Sequence, residues 1–231
     1  MKYLLSVALF LAASISAFSQ TTFSYGLTGG INFPMGGQIT GKESPPNGDW
    51  SETIEGKGEI SYHGGAFGQV NFGKLFIRPE IIYTSLKTTF EFPTQPSIYS
   101  VETFTIPLLV GYNIYGPIDV YLGPVYSNIL DTSLEGDEYT DPIVVQNTPL
   151  NAQIGAKVEF GRFGLDLRYE RSLSTAEDQQ RDIVEGYGSV GYGANVINFD
   201  DARLNQVILS VIFKIGGPGL NEGRRSRRPC Y

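Results

Sequence analysis

The feature that most constrains this chain is the stretch 150–173, LNAQIGAKVEFGRFGLDLRYERSL. Taken every second residue, it gives an apolar list: Leu150, Ala152, Ile154, Ala156, Val158 and Phe160, then Phe163, Leu165, Leu167 and Tyr169. The residues between them are Asn151, Gln153, Gly155, Lys157 and Glu159, then Gly164, Asp166, Arg168, Glu170 and Ser172. Alternate side chains of a strand point to opposite faces, so the stretch predicts a hairpin with one apolar and one charged face. Gly161-Arg162 is a two-residue connection of the kind tight hairpins use.

The same alternation recurs along the chain. Residues 23–33, 60–72, 75–92, 99–114, 118–130 and 204–215 each set apolar against polar positions, for example Ile77, Ile81 and Tyr83 against Arg78, Glu80 and Thr84. With the hairpin this makes eight strands, each about as long as a tilted membrane-spanning strand must be. Connections alternate in length. Tight turns at 73–74, 115–117 and 161–162 separate longer segments at 34–59, 131–147 and 174–203, with 93–98 shorter than these. Outer-membrane barrels show this asymmetry, with short periplasmic turns and longer external loops. The expected fold is therefore all-β: an eight-stranded antiparallel up-and-down transmembrane β-barrel with both termini on the periplasmic side.

Alternation by itself fits a soluble barrel of the lipocalin kind, with its apolar list inside. Two features favour the inverted arrangement. Aromatics such as Phe23, Tyr62, Tyr112, Phe160 and Tyr169 sit near strand ends, as in interfacial girdles. The polar list is also rich in glycine, which suits a crowded lumen.

The N-terminus is consistent with export. Lys2 precedes an apolar run, Tyr3 to Ala13, that passes into small residues and ends at Ala17-Phe18-Ser19-Gln20. This predicts a secretory signal peptide over 1–19, cut after Ser19. The run is short of the roughly 20 apolar residues of a spanning helix. Residues 20–215 form the barrel in this reading, and 216–231 a basic periplasmic tail carrying Arg224, Arg225, Arg227 and Arg228. Cys230 is the single cysteine, so no internal disulfide framework exists, although an intermolecular one is open to it. Loss of Lys2 with the leader takes the formal charge from −7 to −8, an acidic balance that argues against a nucleic-acid partner.

With the polar list inside, Arg78, Lys157, Arg168 and Lys214 meet Glu80, Asp119, Glu159, Asp166 and Glu170. An eight-stranded barrel holds little beyond its own side chains. These groups are expected to interlock as a structural ion network, because unpaired charges there would be costly. An open pore is not expected.

Three motifs carry a family resemblance: Arg78-Pro79-Glu80-Ile81-Ile82-Tyr83, Thr105-Ile106-Pro107-Leu108-Leu109-Val110-Gly111-Tyr112, and Leu122-Gly123-Pro124. Over most of 23–215 the chain resembles the outer-membrane β-barrel domain widespread in Bacteroidota, a family that includes the PorT-like proteins. The resemblance implies an eight-stranded outer-membrane barrel, often of unknown function, with PorT itself linked to secretion of cargo across the outer membrane. Glu80 and Pro107 match the family pattern best. The tail beyond Ile215 is a departure, since many outer-membrane barrels finish on a terminal aromatic; Phe213 would have to serve in its place.

Chemistry-bearing groups are few. His63, the only histidine, falls on the lumen list without a GxSxG-type motif, so a structural role is expected of it. One histidine and one tail cysteine make no zinc constellation. Asp131, Glu135, Asp137, Glu138 and Asp141 are hard oxygen ligands at the density of a calcium site. Their spacing is not that of an EF-hand, and a solvated acidic surface is the default. No cofactor is expected. Three functional classes follow. The first is a non-enzymatic outer-membrane component in envelope structure, transport or secretion, whose partners are outer-membrane lipid and other envelope or secretion proteins. The second is a surface-binding barrel using its acidic loops for a cation or ligand. The third and least favoured is a lipid enzyme at the rim that depends on His63.

Overall fold

The computed structural model describes residues 21–42, 51–136, 143, 148–175, 178–183, 192 and 196–218. Among the described residues, thirteen strands in chain order make two sheets. The barrel wall uses β1 (Thr21–Met35), β5 (Ser61–Phe72), β6 (Leu75–Glu91), β7 (Pro96–Tyr115), β8 (Ile118–Leu134), β9 (Leu150–Phe160), β10 (Phe163–Ser172) and β13 (Asn205–Gly216). Each wall strand pairs antiparallel with its chain neighbours, and β1 pairs with β13 to close the ring of eight. The order is the up-and-down meander that the alternating segments predict.

Period two decides the wall. Ile81, Leu108, Leu122, Ile154, Leu167 and Val211 face outward and are exposed, while Arg78, Glu80, Lys157, Asp166 and Arg168 are buried inside. Aromatics mark both ends of the apolar belt. Phe160, Phe163 and Phe213 lie at the tight-turn end, and Tyr62, Tyr83 and Tyr126 lie toward the other. At the 161–162 turn the chain reverses through Gly161 at φ +60°, a left-handed conformation that favours glycine.

The glycine pairs within strands divide by face. A Cβ on Gly30 or Gly65 would run into the carbonyl oxygen of Leu209 or Ile81, so these two are close-packing positions. Gly64 has open space where a Cβ would go. Gly64 is on the outward face and is not a close-packing position.

Three prolines break the ladder on successive strands. The β5–β6 register skips from Phe67↔Glu80 to Val70↔Ile77 beside Pro79. The β6–β7 register skips from Pro79↔Leu108 to Ile82↔Thr105 beside Pro107. That of β7–β8 skips from Pro107↔Val125 to Val110↔Leu122 beside Pro124. Proline has no N–H to donate, so each interrupts pairing in its own strand.

The segments expected only as long polar loops contain further structure. Strands β2 (Gln38–Lys42), β3 (Thr53–Glu55), β11 (Gln179–Asp182) and β12 (Val196–Asp201) form a second sheet in the order β11-β12-β2-β3, and β4 (Lys57–Gly58) extends the wall beside β6. This sheet packs on the upper ends of β6, β7 and β8. Its core includes Ile39, Phe90, Tyr99, Val101, Ile197 and Phe199, each at most 2% exposed. The Phe199 ring lies 5.8 Å from that of Phe90 and 5.2 Å from that of Tyr99. A cap that shares an apolar core with the ends of β6, β7 and β8 sits on the long-loop end of the barrel.

Candidate functional site

The interior is stacked in layers, each set by inward positions of neighbouring strands. Nearest the tight turns, Lys157 on β9 bridges Asp119 at 2.8 Å and Glu159 at 2.9 Å. Glu159 also takes Lys214 at 2.6 Å and lies 3.7 Å from Arg78. Asn113 ties the layer to the turn, donating to Asp119 at 2.7 Å and to the Gly116 carbonyl at 2.9 Å. Phe76, Leu109 and Tyr121 form a small apolar cluster facing inward. Lys157 sits over the Phe76 ring at 4.9 Å.

In the middle layer Glu80 is held between two guanidinium groups. Arg78 Nε reaches it at 2.6 Å and Arg168 at 2.7 Å, with all three side chains at most 3% exposed. Arg168 also donates to Asp166, which accepts from the Tyr121 hydroxyl. The Arg78 guanidinium sits over the Phe67 ring, with Cζ 3.9 Å from its centroid.

The upper layer differs in kind. Glu170 accepts hydrogen bonds from the amides of Asn151 at 2.8 Å, Gln153 at 2.5 Å and Gln206 at 3.1 Å. Of the nine charged residues named from sequence, the other eight all join ion pairs, whereas the contacts of Glu170 are with neutral amides. His63 stands above it, with Nδ1 2.5 Å from Asn32 Oδ1 and Nε2 2.9 Å from Ser210 Oγ.

One cavity of about 10 Å³ adjoins Asn32, His63, Arg168 and Glu170, and another of about 20 Å³ adjoins Leu86, Val101, Glu170 and Leu204. Each has room for about one water molecule. Above the second, the cap core closes the barrel. A larger recess of about 250 Å³ lies outside the lumen, between Gly36, Gly37, Glu55 and Asp201. Beside it, Arg203 grips Asp201 at 2.6 Å and the Ser174 carbonyl at 2.6 Å, which fastens β12 to the wall. Burial pushes the Asp201 carboxyl upward, but hydrogen bonds and charge from Arg203 outweigh it and hold the group below the usual range.

Of the acidic residues considered for a cation, Asp137, Glu138 and Asp141 lie outside the described residues. Asp131 is exposed on the outer wall opposite Glu102, and Glu135 follows the end of β8. Among the described residues, no three His, Cys, Asp or Glu side chains gather as a metal-binding group. Residues 1–20 and 219–231, which hold the expected signal peptide and most of the tail, are also outside the described residues.

The sequence reading did not single out the amide ring of Asn151, Gln153 and Gln206, the partners Asn32 and Ser210, or the Phe76–Leu109–Tyr121 cluster. Their signal was parity alone: each falls on an inward position of its strand.

A closed ring of eight strands with an apolar exterior and a filled polar interior defines an integral β-barrel of the outer-membrane type. The family comparison gives the same class. Residues 18–176 match the outer membrane protein beta-barrel domain family, and the chain belongs to it. No curated protein matches the chain. Among solved structures, the crystal structure of the outer membrane protein OprG from Pseudomonas aeruginosa is similar, with a TM-score of 0.47 and 12% identity, covering 84% of this chain and 95% of that one.

Proposed function

We propose that this chain is a non-enzymatic outer-membrane barrel that serves as a structural component of envelope, transport or secretion machinery, in the manner of the PorT-like proteins it resembles. The observation that carries the reading is the interior. Ion pairs cross the lumen from wall to wall, the cavities beside His63 and beneath the cap have room for about one water each, and an apolar core covers one end. Such a barrel conducts nothing of metabolite size in this conformation. What it offers are surfaces: a belt for outer-membrane lipid, a cap outside the membrane and a basic tail on the periplasmic side. Export by a cleaved leader, with the cut after Ser19, belongs to the same reading.

The test is mild-detergent extraction of tagged protein from its native membrane after in-cell crosslinking, with the full chain and a variant lacking 219–231. Envelope partners recovered in stoichiometric amount, and lost with the tail, would support a machine component. Recovery as a lone barrel would contradict it.

The folded cap favours one second reading. A sheet packed on the barrel end through a shared core is a platform outside the lumen, so a surface-binding barrel is the alternative. Its acidic residues would supply the recognition, and loop deletion would abolish ligand binding while sparing insertion.

A further inference from the structure

The cations at the tight-turn end of the barrel fall into two groups. Lys157 and Lys214 face inward and are matched by Asp119 and Glu159, whose side chains are only 10% and 11% exposed. Lys74 and Arg162 occupy the 73–74 and 161–162 turns, are exposed, and have no carboxylate partner among the described residues. The rim at this end therefore presents positive charge to its surroundings, with its carboxylates turned into the lumen. Each of the two exposed cations stands beside outward aromatic rings. Lys74 Nζ lies 5.9 Å from the centroid of Tyr112, an exposed ring on β7. Arg162 stands between Phe160 and Phe163, which are 68% and 61% exposed. Its carbonyl accepts the Lys214 N–H at 2.7 Å, which pins the turn to β13. Rings at the lipid boundary with a cation beside them make an interfacial anchor, in which the charge reaches into the headgroup layer.

The two anchors are also placed apart. The 73–74 turn joins the second and third strands of the wall, counted from β1, and the 161–162 turn joins the sixth and seventh, so they lie half a circumference from each other. The opposite edge of the belt is different: Lys57 is paired with Glu91 at 2.5 Å, and Glu102 stands opposite Asp131 on adjacent strands. We propose that the tight-turn rim is a binding surface for anionic glycerophospholipid of the periplasmic leaflet, with Lys74 and Arg162 each holding one headgroup phosphate. This rests on the barrel reading above and adds to it the leaflet, the headgroup class and the residues. Arginine meets a phosphate with two parallel N–H donors and lysine meets it as a point charge. In phosphatidylcholine the choline cation offsets the phosphate charge, so an anionic headgroup is preferred. Contacts on opposite sides of the ring oppose tilting of the barrel in the bilayer.

The test is native mass spectrometry of the detergent-solubilised full chain, titrated with dimyristoylphosphatidylglycerol or with dimyristoylphosphatidylcholine. Two phosphatidylglycerol molecules should bind more tightly than phosphatidylcholine does. Lys74→Gln or Arg162→Gln should weaken one of the two by roughly fivefold, and the double variant should weaken both. Both sites should persist in a variant lacking 219–231, which removes the tail arginines, and inorganic phosphate at the same concentration should not displace the lipid. Entry into phosphatidylcholine vesicles with heat-modifiable migration reports that each variant is folded. An unaltered chain that fails to enter these vesicles would overturn the barrel reading and this proposal together. Equal affinity for the two lipids, binding unchanged in the double variant, binding lost with the tail alone, or displacement by inorganic phosphate would overturn the proposal and leave the barrel reading standing.

Discussion

Thr84 and Leu86 are successive inward-facing residues of β6, and the step between them passes from the lumen to the cap core. Thr84 lines the cavity beside His63, whereas Leu86 belongs to the cap core. The outward face inverts at the same height, from the exposed ring of Tyr83 to the exposed ammonium of Lys87. The neighbouring strand repeats the change: Phe104 pairs with Tyr83, and Glu102 with Ser85. In lipid the apolar side must face out, and in water it must face in. The outward change is the one expected where a wall passes from lipid into water.

That boundary predicts a labelling pattern. In a Cys230→Ser background, Lys87→Cys should react with a membrane-impermeant maleimide on intact cells, and Tyr83→Cys should not. Equal labelling at both positions would remove the boundary from between them.

The cap should behave as a separate packing unit. Phe90 is fully buried between Tyr99 and Phe199. Truncation to alanine should cost roughly 3–5 kcal/mol, the usual range for a core phenylalanine. The expected result for Phe90→Ala is protease cutting within β11 or β12 while the barrel keeps its heat-modifiable migration. Loss of both together would mean that cap and wall fold as one.

Inside the wall, removing one partner of a buried pair strands the other. Arg168→Met leaves Glu80 and Asp166 with a lost cation, and should destabilise the barrel by roughly 3–5 kcal/mol in urea unfolding. Adding Glu80→Gln should recover part of the loss, because it takes away one of the stranded anions. If the two losses simply added, no energetic coupling would join these residues.

The Asp201–Arg203 link gives the cap a pH response. Asp201 is held below its ordinary pKa, so its contribution is complete above the unfolded value, about 3.9. It is lost as pH falls through the lower folded value. Pepsin cutting of β12 should rise as pH drops below about 4 in the unaltered chain. In Asp201→Asn the strand should be cut readily throughout that range. A flat profile in the unaltered chain would show that the link does not anchor the cap.

How much of this was legible in the sequence depends on the length of each pattern. Ten alternating positions from Leu150 to Tyr169 leave one assignment open, and the wall strands follow it. In β12, Ile197 and Phe199 alternate with Asn198 and Asp200 over only six residues. So short a period between polar flanks reads as loop, and the cap emerged only when its apolar residues were seen to meet those of β6 and β7. The nine lumen charges were visible because charge on an inward position demands a partner. The amides around Glu170 were not, since Asn151, Gln153 and Gln206 look the same in sequence whether they face a carboxylate or water. Leu109 and Phe76 were obscured by their apolar outward neighbours Leu108, Val110, Leu75 and Ile77, which hide the alternation.

The central claim, a barrel filled and capped rather than open, is tested most directly by single-channel recording of the refolded chain in a planar lipid bilayer. The account predicts insertion without stable conductance, and the appearance of openings when Phe90→Ala is combined with Arg168→Met, which unpacks the cap and breaks the middle layer. A steady channel in the unaltered chain would contradict it.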